Sequence, residues 1–273
     1  MSRETRSAPS PRQRQRGFAL IVVLWTVALL ALLISTLLAD ARTEAKLTIN
    51  RRAEAVAVAA ADAAIGATIL DLLRPGVATN ATLRFGTVAV SVRLENLSGR
   101  LNPIVVSALM LNALLQRLGV SQQAAEALAA AIVDWRTPGL NPSPHGAKAA
   151  AYRAAGLAYG PPGRPFEHLS ELGAVLGMTP ALLAAMTPHL TLWSATDPDP
   201  ATADAVVLDA LRAAGVPLVT SARDEAQLIA ITAAATLPDA AWVTRRAVVR
   251  FGYSPDGRGW RVLAWDDGEA DPR

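Results

Sequence analysis

The chain has 273 residues, 26 Lys and Arg against 23 Asp and Glu, and no cysteine, which excludes a disulfide framework and a cysteine-ligated metal site. Its formal charge of +3 is not spread along the chain: residues 1–17 hold five arginines and Glu4, a local +4, leaving the remainder formally −1. Overall basicity therefore gives a nucleic-acid reading little footing, and 52% hydrophobic residues with only 5% aromatics point to alanine-rich helices over an all-β fold.

The most informative segment comes first. Arg3, Arg6, Arg12, Arg14 and Arg16 precede Gly17, and Phe18 to Ala39 follow as 22 residues without an ionisable side chain, the next being Asp40. About 20 apolar residues cross a bilayer as a helix, and the arginine-rich side stays in the cytoplasm. An inner-membrane span is expected, N-terminus cytoplasmic and the rest periplasmic. Two plainer readings compete. A cleaved secretory signal is supported by the A-x-A-like Ala39-Asp40-Ala41, but its apolar region is normally 7–15 residues long. A simple single-span anchor needs only the flanking charge.

No proline and one glycine, Gly66, occur between Phe18 and Leu73, so a single helix of about 56 residues is expected, on the order of 84 Å long. In its outer half Ala53, Val56, Ala60, Ala64, Ile65, Ile69 and Leu72 form a stripe, with Arg51, Arg52, Glu54 and Asp62 largely off it. Pro75-Gly76 is a stop signal. Residues 83–94 read as strand, with Val88, Val90, Val92 and Leu94 alternating and Gly86 at a turn or bulge. Helices are expected over 103–117, 121–135, 147–155, 168–176 and 179–187, each bounded by Gly, Pro, Ser or Thr. Beyond the polar junction at 196–200, Ala203 to Ala214 is amphipathic, 218–234 has no clear period, and Trp242–Phe251 and Trp260–Trp265 are strand-like, joined by the hairpin signal Ser254-Pro255-Asp256-Gly257-Arg258-Gly259. The sum is an α+β protein whose sheet is split in sequence.

Catalytic chemistry finds no foothold. His145, His168 and His189 lie 23 and 21 residues apart, far from any metal-ligand spacing, and no G-x-S-x-G, Walker A or G-x-G-x-x-G pattern occurs. Asp134-Trp135 ends a predicted helix before the loop RTPGLNPSPHGAK, but the next acidic residue is Glu167, too far for a calcium ligand set, so loop bracing is the expected role. Residues 169–190 have the outline of a helix-hairpin-helix. They contain no Lys or Arg and one Glu, so the electrostatic part of phosphate binding is missing.

In RGFALIVVLW at 16–25, LSGRLN at 97–102, AIVDW at 131–135, RPFEHLSELGAVLGMTPALLAAMTPHLTLW at 164–193, RRAVVRFG at 245–252 and WRVLAW at 260–265, the chain resembles the minor pseudopilin K family of the type II secretion system. The resemblance implies an α+β fold with a long N-terminal membrane-spanning helix, a small pilin-like antiparallel sheet and a large all-helical domain inserted in that sheet. The implied domains are a cytoplasmic prepilin leader over 1–17, a helix over 18–74 with its transmembrane half at 18–39, a pilin-like domain over 75–102 and 194–273, and the helical domain over 103–193.

It further implies cleavage by a prepilin peptidase between Gly17 and Phe18 and N-methylation of Phe18. Most pilin-like subunits carry a glutamate at the fifth mature position. Here it is Val22, as is usual for pseudopilin K, so the carboxylate that elsewhere meets a neighbouring subunit's amine is missing, which suits a place at the filament tip. Implied partners are minor pseudopilins I and J, the major pseudopilin, the peptidase and the inner-membrane secretion platform; neither nucleic acid nor an enzymatic activity is implied. Some members bind calcium through acidic residues after the D-W step, whereas Arg136, Thr137, Pro138 and the loop to Lys148 supply none, so no cofactor is expected. SATDPDPATADAV at 194–206 likewise departs from the glycine-led G-x-[IVL]-N-x-N-[TS] stretch of the family. The competing reading is a membrane-anchored periplasmic protein that binds nucleic acid through 169–190.

Overall fold

The computed structural model describes residues 11–74, 80–218, 227–236, 242–252 and 259–267. Arg3 and Arg6, the Pro75-Gly76 stop and most of the turn at 254–259 lie outside them. The first helix, α1, runs unbroken from Pro11 to Leu72. It starts seven residues before the expected Phe18, because nothing between Pro11 and Gly17 opposes helix and proline is well placed in a first turn.

Five antiparallel strands follow, β1 (Asn80–Phe85), β2 (Val88–Asn96), β3 (Gln227–Thr236), β4 (Trp242–Phe251) and β5 (Trp260–Asp267), in spatial order β1-β2-β3-β4-β5. Phe85 pairs with Val88 around Gly86-Thr87, and Gly86 has φ +62°. A two-residue hairpin needs that left-handed geometry to match strand twist. β2 and β3 are neighbours in the sheet although 130 residues separate their facing ends in sequence, Asn96 and Gln227.

The outer half of α1 lies on one face of this sheet. Ala57, Ala60, Ala61, Ala64, Ile65 and Ile69 are buried against Val88, Val90 and Val92 of β2, Ile231, Ala233 and Ala235 of β3, and Ala247, Val249 and Phe251 of β4. Alanine on both sides lets helix and sheet approach closely, at the cost of little side-chain entropy. The stripe predicted from periodicity holds at Ala60, Ala64, Ile65, Ile69 and Leu72, whereas at its start Val56 is exposed and Ala57 takes the contact, with Ala61 added.

Between β2 and β3 run α2 (Ala108–Arg117), α3 (Gln122–Arg136), α4 (Ala149–Ala154), a 3-10 turn (Leu169–Ala174), α5 (Pro180–Met186), a second 3-10 turn (Thr187–His189) and α6 (Ala205–Ala213). They share a core of their own, with Leu111, Leu114 and Leu115 of α2, Leu128, Ile132 and Trp135 of α3, and Val207 and Leu211 of α6 among its buried residues. Sequence capping signals set three starts: Ser107, Thr179 and Asp204 accept the N–H of Met110, Leu182 and Val207. The helix expected over 168–176 is a 3-10 turn, and the one expected from 103 begins at Ala108. At 103–107 the carbonyls of Pro103 and Val106 are taken by the Arg136 guanidinium, at 2.8 and 2.7 Å.

Candidate functional site

No cluster of metal-ligating side chains occurs among the described residues, and the candidate functional features are surfaces and joints. The first is the inner half of α1. Phe18 is 71% exposed and Trp25 72%, and Leu20, Ile21, Leu24, Leu29, Leu30 and Leu32 are each more than half exposed. Burying such a side chain stabilises by about 1.5–3 kcal/mol, so this stretch favours an apolar surrounding strongly. Thr26 and Thr36 donate their hydroxyls to the carbonyls of Val23 and Leu33 at 2.8 and 2.9 Å, which removes two polar groups from an apolar surface. Gly17, Phe18 and Val22 all lie within α1, with Phe18 and Val22 exposed.

Two stretches of α1 are apolar by composition, Leu20–Thr36 and Lys46–Leu72. By length the second satisfies a membrane criterion, yet its apolar stripe is spent on the sheet and it carries Arg51, Arg52, Glu54 and Asp62. The first is shorter within the described side chains, but sequence extends it to Ala39, and no described residue covers it.

The second feature is the joint where the helical segment leaves and rejoins the sheet, built from Leu97-Ser98-Gly99-Arg100-Leu101-Asn102. Asn102, 3% exposed, accepts the Ile104 N–H at 2.8 Å and donates its amide to the carbonyls of Leu192 at 3.1 Å and Ser194 at 2.6 Å. Beside it Leu101 N–H donates to His189 O and Thr191 N–H to Leu101 O, a lone parallel bridge. Ser98 Oγ accepts the Leu228 N–H at 2.8 Å, tying the same motif to β3. Gly99 is obligatory, since a Cβ there would lie 2.4 Å from the backbone N of Ala203. His189 Nδ1 meets Asp204 at 2.7 Å across the same region. Partial burial pushes the Asp204 carboxyl up, but the Val207 N–H and His189 together pull it down further, so it sits below its ordinary 3.8.

The third is the loop after Asp134-Trp135. The Asp134 carboxylate is buried and accepts the Ser143 N–H at 3.2 and 3.1 Å; the D-W step thus braces the loop from inside. Sequence reasoning missed Lys148. It is 6% exposed, and its ammonium donates to the carbonyls of Asp134 and Thr137, both at 2.6 Å. Gly146 must be glycine here, because a Cβ would fall 2.1 Å from the Asp134 carboxylate. Trp135 stacks on Phe166 with centroids 6.2 Å apart and meets Tyr152 at 6.1 Å. The Tyr152 hydroxyl accepts the Leu176 N–H, and burial pushes its pKa up. Segment 169–190, the helix-hairpin-helix outline, is thereby packed onto this aromatic cluster through Leu172 and Met186.

The fourth ties α1 to the far edge of the sheet. Asp62 accepts Arg245 Nε and Trp265 Nε1, each at 3.0 Å, and Arg245 also pairs with Asp267. The Asp62 hydrogen bond, helped by Asp267, raises the Arg245 pKa against the effect of burial.

Residues 93–195 match the family model for type II secretion system protein K. This stretch resembles type II secretion system protein K. The resemblance to minor pseudopilin K read from the sequence is supported by this match over residues 93–195. Among solved structures the chain resembles one from the GspK-GspI-GspJ complex of the enterotoxigenic Escherichia coli type 2 secretion system, with TM-score 0.64 and 16% identity, covering 84% of this chain and all of that one. At that identity the likeness concerns the fold. No curated protein matches the sequence. The matched stretch begins on β2 at Arg93 and ends just after the Asn102 joint closes on Ser194. All of α2 to α5 and the LSGRLN motif therefore fall inside it.

Proposed function

We propose that this chain is a minor pseudopilin at the tip of a type II secretion pseudopilus, nucleating or capping a filament that exports folded proteins from the periplasm across the outer membrane. The observation that carries it is the inner half of α1, an exposed apolar helix continuous with one packed on a sheet. In this reading residues 1–17 are the cytoplasmic leader, removed between Gly17 and Phe18 by a prepilin peptidase that leaves an N-methylated Phe18. The helix 18–39 sits in the inner membrane with the globular part periplasmic, then joins the helices of minor pseudopilins I and J and of the major pseudopilin at the secretion platform. Val22, lacking a carboxylate, removes the need for a partner amine from a subunit ahead, since a buried charge is costly without its pair.

Residues 103–193 act as a helical domain inserted in a pilin-like domain of 75–102 and 194–273, and their bulk supports a terminal position. The role is assembly without catalysis. The test is N-terminal mass spectrometry of the protein from hosts with and without the peptidase. A peptidase-dependent start at N-methylated Phe18 supports the reading, and an uncut Met1 or a start near Arg42 defeats it.

A further inference from the structure

Lysine is rare in this chain. Of 26 basic residues 24 are arginine, and the two lysines are Lys46 and Lys148. Lys46 is exposed on α1. Lys148 is buried, and it and Asp134 are the two charged residues fully buried among those described, at 6% and 3% exposed. Both belong to one loop, since the Lys148 ammonium donates to the carbonyls of Asp134 itself and of Thr137 at 2.6 Å each. The backbone bends hard to bring it there. His145 has φ +62°, the one non-glycine residue with positive φ among those described, and Gly146 has no room for a Cβ. Such conformations persist only where their surroundings enforce them.

The geometry is that of a point charge. Arg136 also holds two carbonyls, those of Pro103 and Val106, but through two different nitrogens of its planar fork. At Lys148 two carbonyl oxygens converge on one nitrogen, as oxygens converge on a metal ion. Some members of the family that the sequence resembles bind calcium after the D-W step, and the donor set decides whether that ion fits here. Calcium takes about six to eight oxygens. Of the oxygens identified at this loop, two carbonyls are engaged by the ammonium. The others are the Asp134 carboxylate, which already accepts the Ser143 N–H, and the Ser143 hydroxyl, buried with no partner among the described residues. No further acidic residue occurs before Glu167. A dication would also add its two positive charges to that of the ammonium against a single carboxylate. The residues do not fit the ion.

We infer that Lys148 is a built-in cation: its ammonium holds the loop 134–148 from inside as a bound ion would, and the loop takes up no divalent metal. Order in this loop is then set by the sequence and not by the divalent-ion concentration around it, whatever the place of the chain in a filament. The experiment uses the full chain in detergent micelles. The native protein is treated with an amine-acetylating reagent, and modification of Lys46 and Lys148 is followed by mass spectrometry. Chymotrypsin cleavage after Leu140, which is 90% exposed in the loop, is timed with calcium or magnesium chloride, with a chelator and with neither. Cleavage is repeated on K148M, which keeps the length of the side chain without its charge, and on R153M, an exposed cation of α4, as control.

The expected result is acetylation of Lys148 at least about 100-fold slower than that of Lys46, because the buried amine reacts only when the loop opens. Calcium, magnesium and the chelator should each leave cleavage of the unaltered chain within about 1.5-fold, whereas K148M should be cleaved about tenfold faster and R153M at the unaltered rate. Equal acetylation of the two lysines would overturn the inference, since the ammonium would then be free. Slower cleavage with calcium or magnesium, or faster cleavage with the chelator, would show a metal in the loop and overturn it as well. So would a K148M variant cleaved at the unaltered rate. Should K148M fail to fold, the acetylation and metal measurements on the unaltered chain still decide.

Discussion

The two halves of α1 share one unbroken helix and a similar richness in apolar residues, yet they solve the hydrophobic problem differently. The outer half concentrates its apolar groups in an alanine-rich stripe and leaves charges such as Arg51 and Glu54 exposed on the other sides. The inner half is apolar all round, with Phe18, Leu20 and Trp25 exposed on a helix that no described residue covers. A stripe is satisfied by one sheet, whereas an all-round apolar surface needs an all-round apolar solvent or several partner helices. Composition alone does not separate them; the placement of charge does.

The sharpest way to break the contrast is Ala61→Glu, which puts a carboxylate at a fully buried position between helix and sheet. A loss of about 4 kcal/mol or more is expected, seen as collapse of the thermal melt of the full chain in detergent. Leu29→Ala in the exposed half should leave the same melt within about 0.5 kcal/mol; equal losses from the two would mean that the inner half packs on the globular part. Next in size, Asn102→Ala orphans the buried carbonyls of Leu192 and Ser194 and should cost about 2–3 kcal/mol, read by urea unfolding and faster proteolysis within 103–193. Lys148→Met should cost about 1.5–3 kcal/mol by removing two charge-assisted bonds to carbonyls, again localised to the helical segment. The α1 melt component should be spared in both.

Asp204→Ala should have the smallest effect, about 1 kcal/mol for a lost helix cap. Its pH dependence gives the sign. The folded carboxyl lies below its ordinary 3.8, so its contribution is complete above that pH and disappears as pH falls through the lower folded value. The gap between wild-type and variant melts should therefore close in acid. A gap that widened there would mean that the neutral carboxyl caps better than the ion.

The elements most legible in the sequence were those with a local signal. Gly86 marked the turn between β1 and β2, Thr179 marked a helix start, and the proline-free run marked α1, whereas the caps Ser107 and Asp204 were passed over and those two helices were expected to begin at 103 and 203. β3 was not legible. Its sequence QLIAITAAAT is rich in alanine, a weak strand former, and because both faces of the strand are covered for part of its length the burial alternates poorly. The 3-10 turn at 169–174 was read as a helix because its apolar spacing is the same at that length. Of the joint residues, LSGRLN was picked out by resemblance, but nothing local announces that Asn102 bonds to residues 90 and 92 positions later. Nothing in the sequence singled out Lys148; only tertiary contact makes it a brace.

The unbroken course of α1 has a mechanical meaning. A rod of 62 residues with no proline after Pro11 has no hinge at the point where its surroundings change. Tension applied along the inner half is delivered to the outer half without bending, and there it loads the helix–sheet contact in shear, across many small alanine contacts and the Asp62–Arg245 tie at once. Interfaces loaded that way yield together, unlike a strand peeled from an edge one bond at a time. Any displacement of the exposed end would carry the globular end with it as a single body.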